Sequence, residues 1–287
     1  MCGILGTTQN IEDKIFIQAL DCMSHRGPDS SKVVTVDGAM LGHKRLSIID
    51  LSDRGIQPMS NTEGDVYIVF NGEIYNFSEL KKDLLDQGVF FKNNTDTEVI
   101  LEGYIKYGIS FFDRMRGMWA FTILDQRNNT LVLSRDFFGI KPLYYNYDGK
   151  HISFASELRP LSVFTKFVPD AQAYMSYYAF GAMLFEQTGV MGINQVLPGE
   201  VLLFDLESKN LSKSFLRNIE DVSASYQNLE DALSDSLKHH YISDVPVSIL
   251  FSGGIDSTIL ALISKKQGFN PVCFTVEMPG NATQHPA

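Results

Sequence analysis

The residue best equipped for chemistry stands second in the chain. If Met1 is removed, which the small side chain of Cys2 favours, Cys2 becomes the terminal residue and carries a thiol and a free α-amine on one carbon skeleton. An α-amine titrates near pKa ~7.7–8.0, far below a lysine, so it can accept a proton at neutral pH. A weak nucleophile beside such a base is a recognised way to activate Cys, Ser or Thr. A second stretch, Ser252-Gly253-Gly254-Ile255-Asp256-Ser257, lies between an apolar run (Val245 to Phe251) and a helical stretch reaching Lys266. A glycine-rich turn in that position aims backbone N–H groups and the positive end of a helix at an anion. The hydroxyls of Ser252 and Ser257 add donors. No Lys-Ser/Thr pair follows the glycines, so this is not a Walker A loop. A tight strand-to-helix turn that merely uses Gly-Gly is the plainer alternative.

Several elements must position these groups. From Ile11 to Met23, the residues Ile11, Ile15, Ala19 and Met23 recur at helical spacing and predict one packed face. The loop Ser24-His25-Arg26-Gly27-Pro28-Asp29 follows, and then Val33–Val36 and Ala39–Ile49 read as strands joined by a hairpin at Asp37-Gly38. A strand over Val66–Phe70 runs into Asn71-Gly72-Glu73, where the glycine suggests close approach of backbone to a ligand. Phe77 to Gln87 predicts a second helix, and Thr95-Asp96-Thr97-Glu98 opens a third with Asp96 as its cap. Strands and turns alternate from Trp119 to Tyr147, and Asp148-Gly149 joins the last of them to His151–Ala155. Short antiparallel strands, with helices kept in separate runs, predict an α+β domain.

The character changes after Leu206. Ser208 to Tyr226 is polar and reads as a connector, Leu229 to His240 is helical, and Val245 to Phe251 has the continuous apolar run of a strand buried on both faces. With the helix to Lys266 and a second apolar run at Val272–Val276, this makes a strand–helix–strand unit that opens a parallel α/β sheet. The expected division is a first domain over 2–205, a connector over 206–226 and an incomplete second domain over 227–287.

Composition excludes several classes of function. Lys and Arg number 24 against 34 Asp and Glu, a net charge of −10 with no basic stripe, so a nucleic-acid partner is not expected. No apolar run approaches a membrane span, and no charged-then-apolar leader is present. The three cysteines, Cys2, Cys22 and Cys273, lie far apart without C-x-x-C spacing, which disfavours both a disulfide framework and a zinc site. Cys22 and Cys273 are expected as buried small hydrophobes, and a reducing cytoplasm as the setting.

The motifs occur in a telling order. Met1-Cys2-Gly3-Ile4, His25-Arg26-Gly27-Pro28-Asp29, Arg45-Leu46-Ser47-Ile48-Ile49-Asp50, Asn71-Gly72-Glu73-Ile74-Tyr75-Asn76 and Thr95-Asp96-Thr97-Glu98 are followed by Arg135 to Tyr145 and by Phe154-Ala155-Ser156-Glu157. In this order the first domain resembles the class II glutamine amidotransferases, and the Ser252–Ser257 loop resembles that of the PP-loop ATP pyrophosphatases. Together they resemble the N-terminal part of glutamine-hydrolysing asparagine synthetases.

That resemblance implies an N-terminal-nucleophile hydrolase fold, αββα, with antiparallel sheets sandwiched by helices, followed by the beginning of a PP-loop domain. It implies that Cys2 attacks the side-chain amide of glutamine while its α-amine relays the proton, and that Asn71 and Gly72 hold the oxyanion. Arg45, Leu46, Ser47, Ile48, Ile49, Asn71, Gly72, Glu73 and Asp96 would bind glutamine. Arg45 would take its α-carboxylate; Asp96, and less closely Glu73, its α-ammonium. Phe251, Ser252, Gly253, Gly254, Asp256, Ser257 and Val276 would bind ATP, with Mg²⁺ bridging its phosphates and no metal held by side chains alone.

Aspartate is the expected acceptor and a homodimer the expected assembly. Another carboxylate, such as a sugar acid or a peptide, and a non-catalytic remnant are the alternatives. The family continues well past Ala287, so the chain reads as C-terminally truncated and able at most to hydrolyse glutamine. Each residue also admits a plainer role on its own: Arg45 a salt-bridged surface group, Asp96 a helix cap, Asn71-Gly72 a turn.

Overall fold

Alternation of apolar residues along short strands builds the first part of the molecule. The computed structural model describes residues 1–216 and 228–276. The chain divides into two units, Met1–Ile219 and Glu220–Ala287. The first unit opens with β1 (Gly3–Thr7), α1 (Asp13–Asp21), β2 (Ser30–Val36), β3 (Ala39–Arg45), β4 (Met59–Ser60), β5 (Val66–Ile74), α2 (Phe77–Asp86) and α3 (Asp96–Tyr107). It continues with β6 (Gly117–Asp125), β7 (Thr130–Arg135), β8 (Tyr144–Tyr147), β9 (Ile152–Ala155), α4 (Ala171–Phe180), β10 (Ile193–Gln195), β11 (Glu200–Asp205) and β12 (Leu211–Phe215).

These strands form two six-stranded sheets, ordered β10-β8-β9-β1-β3-β2 and β12-β11-β7-β6-β5-β4, and every pairing is antiparallel. Ile4, Leu41 and Phe154 from the first sheet share one core with Val69, Leu133 and Phe204 from the second. The next residue along each strand points outward: Leu5, Met40 and Ala155 pack against Phe16, Leu20 and Met23 of the α1 region. On the far side α3 packs against β5 and α2 against α3. The result is the αββα sandwich expected of an N-terminal-nucleophile hydrolase.

Local details depart from the sequence reading. The buried stripe of α1 runs through Phe16, Ala19 and Leu20, while Ile15 is exposed. Phe16, Ala19, Leu20 and Met23 follow an i, i+3, i+4, i+7 pattern, a wider apolar face than the single i+4 row through Ile15. Thr95, not Asp96, caps α3, its hydroxyl accepting from the Glu98 N–H at 3.1 Å. Asn71-Gly72-Glu73 is no turn; β5 carries straight through it to Ile74. Part of the expected connector is a strand: β12 pairs with β11 from Glu200↔Phe215 to Phe204↔Leu211. The polar alternation Ser212-Lys213-Ser214 suits an edge strand, which explains why it resembles a linker. Connector residues 217–226 and the last residues of the expected second domain, 277–287, lie outside the described residues.

The second unit carries α5 (Leu229–His240), β13 (Ser248–Leu250), α6 (Ile255–Lys266) and β14 (Val272–Phe274). β13 and β14 pair in parallel, Ser248↔Val272 through Leu250↔Phe274, as the strand–helix–strand reading requires. The expectation of a strand buried on both faces fails. Leu250 is 81% exposed and Val276 85% exposed, and Ile263 is the one buried apolar side chain of this unit among the described residues. Two strands and one crossover helix do not cover both faces of a parallel sheet. Cys22 is half-buried and Cys273 exposed, so neither is the buried small hydrophobe expected.

Candidate active site

Strand parity sets the site between the sheets. Cys2 lies two residues before Ile4 and continues its inward side, and Asn71 shares the inward side of Val69. Both line one cleft of about 560 Å³, partly open to solvent, together with Arg45, Gly72, Glu73 and Asp96. Leu46, Ile48 and Ile49 line it as well. Ser47 does not; its N–H donates to Asp29 Oδ2 at 2.7 Å.

The donors facing the cleft can be derived from the strand ladder. In an antiparallel pair, opposed residues exchange both backbone bonds or neither. Trp119, opposite Gly72, gives its N–H to Asp136 Oδ2 at 3.2 Å and accepts at its carbonyl from Asp136 N–H at 2.9 Å. Gly72 therefore points its N–H away from β6, off the edge of β5 that β4 covers only at Ile68 and Tyr67. The N–H groups on either side along this edge are taken by side chains: Phe70 N–H by Gln57 Oε1 at 2.6 Å, Ile74 N–H by Asp96 Oδ2 at 3.0 Å. Between them Gly72 N–H opens on the cleft. A Cβ at this position would stand 2.2 Å from the Met118 carbonyl, so the close approach of β6 also requires glycine here.

Beside it Asn71 is 1% exposed, and its Nδ2 has no hydrogen-bond partner among the described residues. A buried amide donor without an acceptor costs free energy of ~1–3 kcal/mol, unless a ligand supplies the acceptor. Asn71 Nδ2 and Gly72 N–H thus make two donors beside a thiol.

The charges around them are shaped by burial. Burial pushes the Cys2 thiol up, against the lowering effect of the Leu46 N–H, which donates to Sγ at 3.4 Å. A thiol held protonated at rest needs a base when it attacks. Burial, and then the Glu73 charge, push Asp96 up to about 7, although its carboxylate also accepts from Thr97 N–H at 2.8 Å. The Arg45 guanidinium donates to the carbonyls of Ser52 at 2.8 Å and Asp50 at 2.5 Å, with the Gly55 backbone so close that a Cβ there would meet Nη2 at 2.1 Å. Neutral carbonyls fix the guanidinium's direction and leave its charge for a carboxylate.

Outside the cleft, His25 and Arg26 share Glu157, at 2.8 and 3.1 Å, and Arg26 Nε donates to the Cys2 carbonyl at 2.9 Å. His43 is fully buried, and burial pushes it down to about 4. The neutral ring makes a hydrogen bond to the Phe70 carbonyl at 3.0 Å and ties the two sheets together beside Asn71.

Sequence reasoning missed Lys141, Gln57, Phe70 and Gly55 in the cleft wall. Gln57 and Gly55 sit in an irregular stretch whose approach to β5 no local pattern encodes. Lys141 belongs to a motif noticed in the sequence, but nothing about Ile-Lys-Pro says where the amine goes.

In the second unit, the Ser252–Ser257 loop joins β13 to α6 as expected. Gly253 takes φ +75°, a conformation that favours glycine, and Gly254 caps α6. The Ser257 hydroxyl lies 3.2 Å from that of Ser252 and donates to the Gly254 carbonyl at 3.1 Å. Phe251 N–H donates to the Phe274 carbonyl at 2.7 Å, and Val276 lies just past β14. Among the described residues, no group of three His, Cys, Asp or Glu side chains is placed to hold a metal ion.

Two antiparallel six-stranded sheets between helices, with Cys2, Asn71 and Gly72 lining one cleft, define the N-terminal-nucleophile hydrolase fold. The chain belongs to the glutamine amidotransferase domain family, which matches residues 1–215. The asparagine synthase family matches residues 228–285. Among curated relatives, "Asparagine synthetase [glutamine-hydrolyzing] 3" of Bacillus subtilis is 32% identical over 95% of this chain and 47% of its own length. "Asparagine synthetase B [glutamine-hydrolyzing]" of Escherichia coli is 35% identical over 93% of this chain and 45% of its own length. The chain therefore spans about half the length of these relatives. Among solved structures, the glutamine phosphoribosylpyrophosphate amidotransferase of B. subtilis, complexed with ADP and GMP, superposes with a TM-score of 0.55 at 19% identity. It covers all of this chain and 69% of its own, and supports the fold. No described helix is long and apolar enough to cross a membrane.

Proposed function

We propose that the first unit hydrolyses glutamine to glutamate and ammonia at Cys2. The observation that carries this is the buried, unpartnered Asn71 Nδ2 beside Gly72 N–H in the cleft that Cys2 lines. With Met1 removed, Cys2 sulfur bonds to the amide carbon and the carbonyl electron pair moves to oxygen, where Asn71 and Gly72 donate to it. The thiol proton passes to the α-amine and then to the departing nitrogen, which leaves as ammonia. Its departure leaves a thioester on Cys2; water adds to that carbon and gives a proton to the α-amine, the C–S bond breaks, and the sulfur takes the proton back as glutamate leaves. One such oxyanion donor contributes ~2.7–4 kcal/mol in related acyl transfer. Arg45 holds the α-carboxylate of glutamine, and Asp96, with Glu73 beside it, the α-ammonium.

We infer that in the whole protein this ammonia amidates an adenylated carboxylate, that of aspartate, making it a glutamine-dependent asparagine synthetase; two asparagine synthetases among its relatives and the Ser252–Ser257 loop support this. That loop, its glycines and hydroxyls at the start of α6, has the donor chemistry for the pyrophosphate of ATP. Mg²⁺ would offset the phosphate charge of ATP in the whole protein.

Ammonia release from glutamine, measured on the wild-type chain and on Cys2→Ala, tests the reading. Release by the wild type, with complete loss in a Cys2→Ala variant that keeps its circular dichroism spectrum, is the expected outcome. A Cys2→Ala protein that still releases ammonia would overturn it.

A further inference from the structure

Gln57 is 5% exposed and lines the cleft, yet no step of glutamine hydrolysis uses it. Its place follows from strand register. β4 and β5 pair with Met59 opposite Ile68 and Ser60 opposite Tyr67, which puts position 57 opposite Phe70. β4 begins only at Met59, so its ladder stops short of Phe70. The side chain of Gln57 supplies the acceptor that a longer strand would have supplied from its backbone, Oε1 accepting from Phe70 N–H at 2.6 Å. The Phe70 carbonyl, which the same ladder would have used, accepts from His43 Nε2.

The other end of the Gln57 amide is tied as well. Its Nε2 donates to Thr97 Oγ1 at 3.2 Å, in the first turn of α3. Thr97 follows Asp96, whose carboxylate takes Thr97 N–H at 2.8 Å and Ile74 N–H at 3.0 Å. The edge of β5 is therefore fastened to α3 at two points, at Phe70 through Gln57 and at Ile74 through Asp96. Gly72 lies midway, ~6.8 Å along the strand from either. Two residues before Gln57, the Gly55 backbone packs against the Arg45 guanidinium. One short stretch, 55–57, thus touches Arg45, the strand carrying Asn71 and Gly72, and the helix turn carrying Asp96.

We propose that Gln57 is a positioning residue that sets the length of side chain the site accepts. By tying the strand of Asn71 and Gly72 to the turn of Asp96, it fixes the gap between the donors for an amide oxygen and the carboxylate for an α-ammonium. This rests on the glutaminase reading above. Glutamine spans that gap, and asparagine, one methylene shorter, falls short of it. A site that holds both ends still can select over one methylene by ~10–200-fold, and a loosened one selects less. The tie at Ile74 cannot be cut without removing Asp96 itself, whereas Gln57 can be changed alone.

Ammonia release from glutamine and from asparagine is measured on the full chain, wild type and Gln57→Ala. In Gln57→Ala, kcat/KM for glutamine falls while that for asparagine holds or rises, and the ratio of the two drops about tenfold. A glutamine that only packed the cleft wall would lower both rates in step. An unmoved ratio, or asparagine hydrolysis that cannot be detected in the variant, overturns the proposal. Should Gln57→Ala not fold, Thr97→Val, which cuts the tie at α3 alone, is read in the same way. A wild type that releases no ammonia from glutamine overturns the glutaminase reading and this proposal with it; an active wild type with an unmoved ratio in the variant overturns this one alone.

Discussion

The two units hold their motifs in different ways. In the first, Asn71 and Gly72 sit on a nine-residue strand inside a sandwich whose core residues, Leu133 among them, are completely buried. Three backbone groups flanking the cleft edge of β5 are spent on side chains: Phe70 N–H on Gln57, Ile74 N–H on Asp96, the Phe70 carbonyl on His43. In the second, the Ser252–Ser257 loop sits between a three-residue strand and a helix, and its serines bond chiefly to one another and to Gly254. Leu250 of β13 and Val272 and Phe274 of β14 are exposed there. A motif supplies atoms of the right kind; a closed core supplies the rigidity that holds a donor within a few tenths of an ångström of its target.

The largest expected effect is on the core of the first unit. Leu133→Ala should lower its stability in urea denaturation by ~2–5 kcal/mol, as buried leucines do. Asn71→Ala should leave that stability nearly unchanged or raise it, because an unpartnered donor is removed. It should cut kcat for glutamine by ~10²–10³, with little change in KM. A fall in KM-linked binding alone would show that Asn71 holds substrate and not the oxyanion.

Asp96 makes a sharper probe because its carboxyl is pushed up to about 7 by burial and by Glu73. An α-ammonium needs the carboxylate form, so KM for glutamine should rise as pH falls through 7. Asp96→Asn should abolish that rise and lift KM at pH 8 by ~10–100-fold, the worth of a charge-assisted hydrogen bond. The sign also reaches stability. A carboxyl whose folded pKa lies above its ordinary value binds more protons folded than unfolded, so stability should decline between about pH 4 and 7, and Asp96→Asn should flatten that slope. The smallest effect belongs to the second unit. Leu250→Ser, at an exposed position, should shift stability by no more than ~0.5 kcal/mol. A loss like that of Leu133→Ala would break the contrast between the units.

The sequence made much of this site legible, and the reason is physical. Cys2, Arg45, Asn71 and Asp96 each carry chemistry in their own side chains, so the order of their motifs was enough to assemble them. Gly72 lines the cleft, and a second reason for glycine there, the Met118 carbonyl of another strand, is invisible in local sequence. Asp96 read as a cap because Thr95, one residue earlier, makes an equally good one. That the true cap is Thr95 leaves Asp96 Oδ2 for Ile74 N–H at the cleft. Lys141 and Gln57 could not be placed because their positions depend on how β5 and the 136–141 loop meet across long sequence separations. β12 was hidden by polar residues that suit an edge strand as well as a linker.

Glutamine hydrolysis at Cys2 depends on sulfur and amine sharing the first residue of the working protein. Intact-mass spectrometry of active material, quenched in acid while turning over glutamine, tests this directly. The predicted spectrum shows a chain lacking Met1, with a fraction carrying a glutamyl group that maps to Cys2. Active protein that retains Met1, or an acyl group found at any other residue, would contradict it.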